Sequence, residues 1–152
     1  MSLTDQLHSD MKTAMRDGDT DRRDTLRMVI SAAQNAAKDK RAPLTDEEAI
    51  EVISREVKKR RESIKAYQGA GRADLAAREQ IEVDILTPYL PEQLSEGEVR
   101  AFIVEAIAAT GAASPRDIGR VMGQLMPRVK GRADGKVVSA IVNEELSRVA
   151  TT

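Results

Sequence analysis

Apolar residues recur every three or four positions along nearly the whole chain, and no run alternates apolar and polar residues over strand length. Leu3, Leu7, Met11, Ala14 and Met15 mark a first helix that ends at the turn sequence Asp17-Gly18-Asp19. Leu26, Val29, Ile30, Ala33 and Ala37 give the face of a second, from about Asp21 to Lys38, and Pro43 closes the loop after it. Thr45-Asp-Glu-Glu48 is a capping box, in which the hydroxyl accepts a helix-start N–H and the glutamate reaches back to the N–H of the cap. Ile50, Ile53, Val57, Ile64 and Tyr67 line the third helix, which Gly69 and Gly71 terminate. A fourth, from about Ala73 to Leu86, stops before Pro88.

Tyr89-Leu-Pro-Glu-Gln-Leu94 reads as a linker, with Tyr89 and Leu90 as candidates for a contact between the parts it joins. Ser95-Glu-Gly-Glu98 is a second capping box, followed by the face Val99, Phe102, Ile103, Ala106 and Ile107, and Gly111 ends that helix. Ser114-Pro-Arg-Asp117 starts the next with a serine cap, proline at the first helical position and an acid in the first turn. Its apolar face (Ile118, Val121, Met122, Leu125) ends at Pro127. Asp134 caps a last helix carrying Val138, Ile141, Val142 and Leu146. The pattern predicts an all-α protein, with a four-helix N-terminal subdomain over residues 1–90 and a small three-helix C-terminal subdomain over residues 91–152.

Composition makes the core aliphatic: 41% of the 152 residues are hydrophobic, but only 2% are aromatic and none is Trp. The absence of Cys excludes disulfides, thiolate zinc sites and a thiol nucleophile, and fits a reducing cytoplasm. The N-terminus lacks the apolar stretch of a signal peptide. The most apolar segment, around Phe102-Ile-Val104, is interrupted by Glu105, so no segment spans a bilayer. The expectation is a cytoplasmic protein without a membrane partner.

Charge changes the picture at one place. The chain as a whole carries a net −1, with both signs interleaved. From Arg116 to Lys136, six cations (Arg116, Arg120, Arg128, Lys130, Arg132, Lys136) face two anions (Asp117, Asp134), a local balance of +4. Gly131 and Gly135 let a ligand approach the backbone, and the last helix starts there with its positive dipole end. Arg116, Arg120, Arg128, Lys130, Gly131, Arg132, Asp134, Gly135 and Lys136 are therefore candidate RNA-backbone contacts. An ordinary interhelix turn with solvated charge is the competing reading. The loop is not a P-loop, because no apolar strand precedes it and the spacing is wrong.

Lys58-Lys-Arg-Arg61, with Arg55 and Lys65, is a second basic cluster that reads as a solvated helix face. Glu79 and Glu82 share a ridge with Leu75, Leu86 and Tyr89, which predicts pairing with a buried cation; Arg27, Arg61 and Arg72 are the candidate partners. Gly119 and Gly123 share one helix face and imply some compensating contact, either a neighbouring helix or a nucleic-acid backbone. His8 reads as a surface residue. No nucleophile–base arrangement, metal-ligand cluster or dinucleotide fingerprint is visible, so no catalytic residue, metal or cofactor is expected.

Leu26–Ala37 (LRMVISAAQNAA), Gly71–Leu75 (GRADL), Tyr89–Val99 (YLPEQLSEGEV) and Met122–Val138 (MGQLMPRVKGRADGKVV) resemble the GatB/YqeY family, in particular its small free-standing YqeY-like members, over essentially the whole chain. The resemblance implies a two-part all-α fold and a link to tRNA-dependent amidotransferases, whose B subunit carries a similar helical tail that helps hold tRNA. In those enzymes an ATP-using domain and a separate amidase do the chemistry, and this chain resembles neither. A carbon–nitrogen ligase activity with glutamine as amide donor would thus belong to the multidomain relatives. The residues carried over are Lys130, Gly131, Arg132, Asp134, Gly135 and Lys136. The expected role is a non-catalytic accessory module binding tRNA or another structured RNA, alone or beside a translation enzyme. The alternative is a protein–protein adaptor.

Overall fold

A computed structural model describes residues 1–151 of the chain. The protein is all-α. Its helices are α1 (Leu3–Asp17), α2 (Thr20–Lys40), α3 (Asp46–Gly69), α4 (Ala73–Leu86), α5 (Glu96–Thr110), α6 (Ile118–Val129) and α7 (Gly135–Ala150). Short 3-10 turns follow α4 (Thr87–Tyr89) and precede α6 (Pro115–Asp117). The chain divides into two compact units, Met1–Leu90 and Pro91–Thr152.

Local chemistry sets the helix starts. Ser2, Thr45 and Ser95 each accept the N–H three residues on, while Asp5, Glu48 and Glu98 return a carboxylate to the cap, so α1, α3 and α5 all begin with reciprocal boxes. Lys40 also bonds Glu48, and this, ahead of the two Thr45 contacts, holds the Glu48 carboxyl down at about 2. At the C-termini, Gly18, Gly71 and Gly111 supply the left-handed conformation, with φ of 71°, 71° and 68°. The third helix runs through Gly69, and Gly71 makes the turn. Arg41 takes the same conformation after α2 at φ 62°, a strained choice for a residue with a Cβ.

In the N-terminal unit α3 packs chiefly on α4 and α1 on α2. The core comprises Leu7, Leu26, Val29, Ile30, Ile53, Val57, Ile64, Ala76, Val83 and Leu86. A buried arginine with two carboxylate partners enters it. Arg60, 6% exposed at its side chain, lies 3.8 Å from Glu82 and 3.7 Å from Glu56. The partner of Glu82 is thus Arg60, not Arg27, Arg61 or Arg72. The run Lys58–Arg61 is not uniformly solvated, because Ile53, Val57, Arg60 and Ile64 form one 4-3-4 stripe facing the core.

The stretch Tyr89–Leu94 is not a free linker. Tyr89 and Leu90 pack on the N-terminal core. The Tyr89 hydroxyl donates to Asp10 at 2.5 Å and accepts from Arg22 at 3.2 Å. From Pro91 onward the chain belongs to the C-terminal unit. There Val99, Ile103, Ala106 and Ile107 of α5 meet Val121, Leu125 and Val129 of α6 and Val138, Ile141, Val142 and Leu146 of α7. Pro127 does not end α6; it sits inside the last turn. The one hydrogen bond it cannot donate would reach the carbonyl of Gly123, an exposed residue that water can satisfy, and the helix continues to Val129, with the Lys130 N–H after it still donating to Met126 at 2.9 Å.

Candidate nucleic-acid interface

All nine sequence-derived candidates lie in the C-terminal unit: Arg116 in the 3-10 turn before α6, Arg120 and Arg128 on α6, Lys130, Gly131, Arg132 and Asp134 between α6 and α7, and Gly135 and Lys136 at the start of α7. The structure gives them different tasks. Val121, Leu125 and Val129 turn α6 inward. By helical register the opposite face presents Arg116, Gly119, Arg120, Gly123, Pro127 and Lys130, all exposed. A Cβ added at Gly119 or Gly123 would meet nothing within 4 Å. These glycines therefore do not serve close packing within the unit, and of the two contacts the sequence left open for them the neighbouring helix is absent. Arg116 makes no hydrogen bond or ion pair among the described residues, and Arg120 is held at one side by Asp117 (2.9 Å) and the Thr110 carbonyl (3.2 Å). The Ala113 N–H, then Arg120, lowers the Asp117 carboxyl below the usual carboxylate range.

The loop that follows is built by backbone bonds. The Val129 carbonyl accepts from Arg132 at 2.9 Å and from Ala133 at 3.1 Å, and Gly131 turns the chain with φ 77°. Gln93 donates its amide to the Gly131 carbonyl at 2.9 Å, and Leu94 N–H donates to the Arg132 carbonyl at 2.8 Å. The Arg132 guanidinium donates to the Glu92 carbonyl at 3.1 Å and to the Arg128 carbonyl at 3.3 Å. Arg132 is thus a staple between the 91–95 segment and the loop. Asp134 caps α7 by accepting the Lys136 N–H at 2.9 Å, so an anion already occupies the positive end of that helix. Lys130 and Lys136 are exposed at either side of the turn.

Arg128 differs again. Its guanidinium lies 4.0 Å above the Phe102 ring and bonds Glu105 at 3.0 Å. Sequence reading missed this partner pair, and it missed Glu92 and Gln93 as loop supports, since no residue pattern links segments some forty positions apart.

Elsewhere the N-terminal unit carries a polar pocket lined by Asp21, Asp24, Thr25, Arg78, Ile81 and Glu82. Burial, partly countered by Arg60, pushes the Glu82 carboxyl upward. Among the described residues no group of three His, Cys, Asp or Glu side chains is placed to hold a metal ion, and no helix is long and apolar enough to cross a membrane.

A family model described as Yqey-like protein matches residues 4–146. The chain belongs to the YqeY-like family. A relative from Pyrenophora tritici-repentis, Altered inheritance of mitochondria protein 41, is 31% identical over 91% of this chain and 78% of its own. A protein of the same name from Lachancea thermotolerans is 30% identical over 72% of this chain and 60% of its own. An uncharacterised protein of Schizosaccharomyces pombe is 30% identical over 54% of this chain and 67% of its own. The cytoplasmic expectation is corrected here: the fungal proteins that carry a name are named as mitochondrial. A cysteine-free chain fits any reducing compartment, so composition could not separate the two.

Proposed function

We propose that the C-terminal unit is a non-catalytic RNA-binding module whose contact face is the outer side of α6 with the adjoining turn, and that structured RNA, tRNA foremost, is its partner. The carrying observation is the pair Gly119 and Gly123. Each costs a helix roughly 1 kcal/mol against alanine, and neither serves internal packing. Their bare backbone lies in one row with Arg116, Arg120 and Lys130. A phosphate-bearing strand laid on this row meets cations at the sides and no side chain in the middle. The relatives' printed names suggest a mitochondrial setting for such a role. The resemblance to the amidotransferase tail agrees with a function beside a translation enzyme, and glutamine or ATP hydrolysis by the purified protein should stay at background.

The test is a salt titration of tRNA binding. Arg116→Ala, Arg120→Ala, Lys130→Ala and Lys136→Ala combined should flatten the log–log salt slope by roughly 0.7 to 0.9 for each lost phosphate contact. Arg132 is left intact because it shapes the loop. A folded quadruple variant with unchanged affinity and slope overturns the reading. One observation favours the adaptor instead: Gly97, Ala101, Val104 and Ala108 form an apolar strip on the outside of α5, with Val104 52% exposed. In that case the strip, not the cations, would govern binding.

A further inference from the structure

Arg128 is poorly placed to serve as a phosphate contact. Glu105 already neutralises its charge at 3.0 Å, and a second anion would have to compete with that carboxylate. What Arg128 offers instead is shape. One face of the guanidinium is covered by the Phe102 ring at 4.0 Å and one edge is fixed by Glu105, while 45% of the side chain is open to solvent. Phe102 is the only phenylalanine of the chain, and it packs partly buried against the core through α5, so the lower layer cannot swing away. The result is a planar, pre-positioned cation with an exposed side. Gln124 lies one turn earlier on α6, exposed, with an amide that bears both donors and an acceptor.

We propose that the Phe102–Arg128 stack is a platform for one unpaired nucleobase, with Gln124 beside it to meet the edge of the base. The inference rests on the RNA reading of the C-terminal unit and adds to it a requirement for a base rather than a phosphate. Bases taken out of a helix stack on guanidinium planes as well as on aromatic rings, and such a stack tolerates any base. The pairing with Glu105 sets the orientation of the plane and lowers its appeal to phosphate.

The experiment uses the full chain and a short single-stranded RNA with 2-aminopurine at one position. A second RNA of equal length lacks the base at that position. The wild-type protein should quench the 2-aminopurine and bind the abasic strand roughly five- to a hundred-fold more weakly, the span a lost base stack gives. Arg128→Lys keeps the charge and loses the plane. It should show the same loss on the normal strand, no further loss on the abasic one, and an unchanged salt slope. Equal wild-type affinity for the two strands at every position of the abasic site overturns the platform, whether or not the variant folds. Absence of any RNA binding by the wild type would remove the underlying reading instead, and a salt slope reduced in Arg128→Ala, which loses the charge, would make Arg128 a phosphate contact.

Discussion

The phenol of Tyr89 closes a 2.5 Å hydrogen bond on Asp10, a residue seventy-nine positions earlier in the chain. It ties the end of the N-terminal unit back to α1, while Arg22 of α2 donates to the same oxygen. Tyr89→Phe should lower the stability of the N-terminal unit by about 1–2 kcal/mol, because a part-buried carboxylate loses its donor. Denaturant unfolding checks this. Burial, then the Asp10 bond, raises the Tyr89 pKa above 10.0. The folded state therefore keeps a proton that the unfolded state releases, and this share of stability is whole below pH 10 and fades above it. In the Tyr67→Phe protein, where Tyr89 is the only tyrosine, phenolate absorbance at about pH 11 should be weak while the chain is folded and appear on unfolding.

Gly119→Ala and Gly123→Ala should each stabilise the protein by roughly 0.5–1 kcal/mol, since both positions are helical and open to solvent. The same changes should weaken RNA binding if a backbone must come close. A higher melting temperature with unchanged binding would leave the two glycines without a functional reason.

Glu82 supplies a pH signature. Its carboxyl is raised above 4.5, first by burial and then by Glu79, against the attraction of Arg60. The folded chain holds this proton more tightly than the unfolded one, so the associated stabilisation is complete below pH 4.5 and is lost as pH rises past it. Glu82→Gln stays neutral throughout. Its melting temperature relative to wild type should climb as pH rises past 4.5. Parallel curves for the two proteins would remove the effect, and a double-mutant cycle should couple Glu82 to Arg60 and leave Arg27 uncoupled.

Arg132→Ala should cost about 1 kcal/mol of stability in the C-terminal unit, because the guanidinium donates to the Glu92 and Arg128 carbonyls from a partly exposed site. Arg116→Ala, at an exposed side chain with no hydrogen bond or ion pair among the described residues, should cost nothing comparable. Equal melting temperatures for the two variants would deny Arg132 its role as a staple.

The helices were legible because their signals are local. Thr45 with Glu48 and Ser95 with Glu98 announce their helix starts within four residues. Pro127 misled because the cost of proline depends on the carbonyl four residues back, and that residue is an exposed glycine. Arg60 was readable in principle from its register with Ile53, Val57 and Ile64, but the four-cation run around it masked the stripe. At the candidate interface the sequence located the charge and missed the division of labour. Nothing near Arg128 or Arg132 in sequence announces that one stacks on Phe102 and the other binds Glu92. Such assignments depend on which segments the fold brings together.

The bonds from Glu92, Gln93 and Leu94 to the loop at 131–132 also bear on how this unit can be moved between proteins. A tail cut to begin at its first helix would retain every fully buried residue of the α5–α7 core. It would nonetheless leave the Gly131 and Arg132 carbonyls without their donors and the basic turn without its brace. The portable piece therefore starts at Pro91, five residues ahead of α5 (Pro91–Ser95), and the short irregular segment travels with the module as part of it.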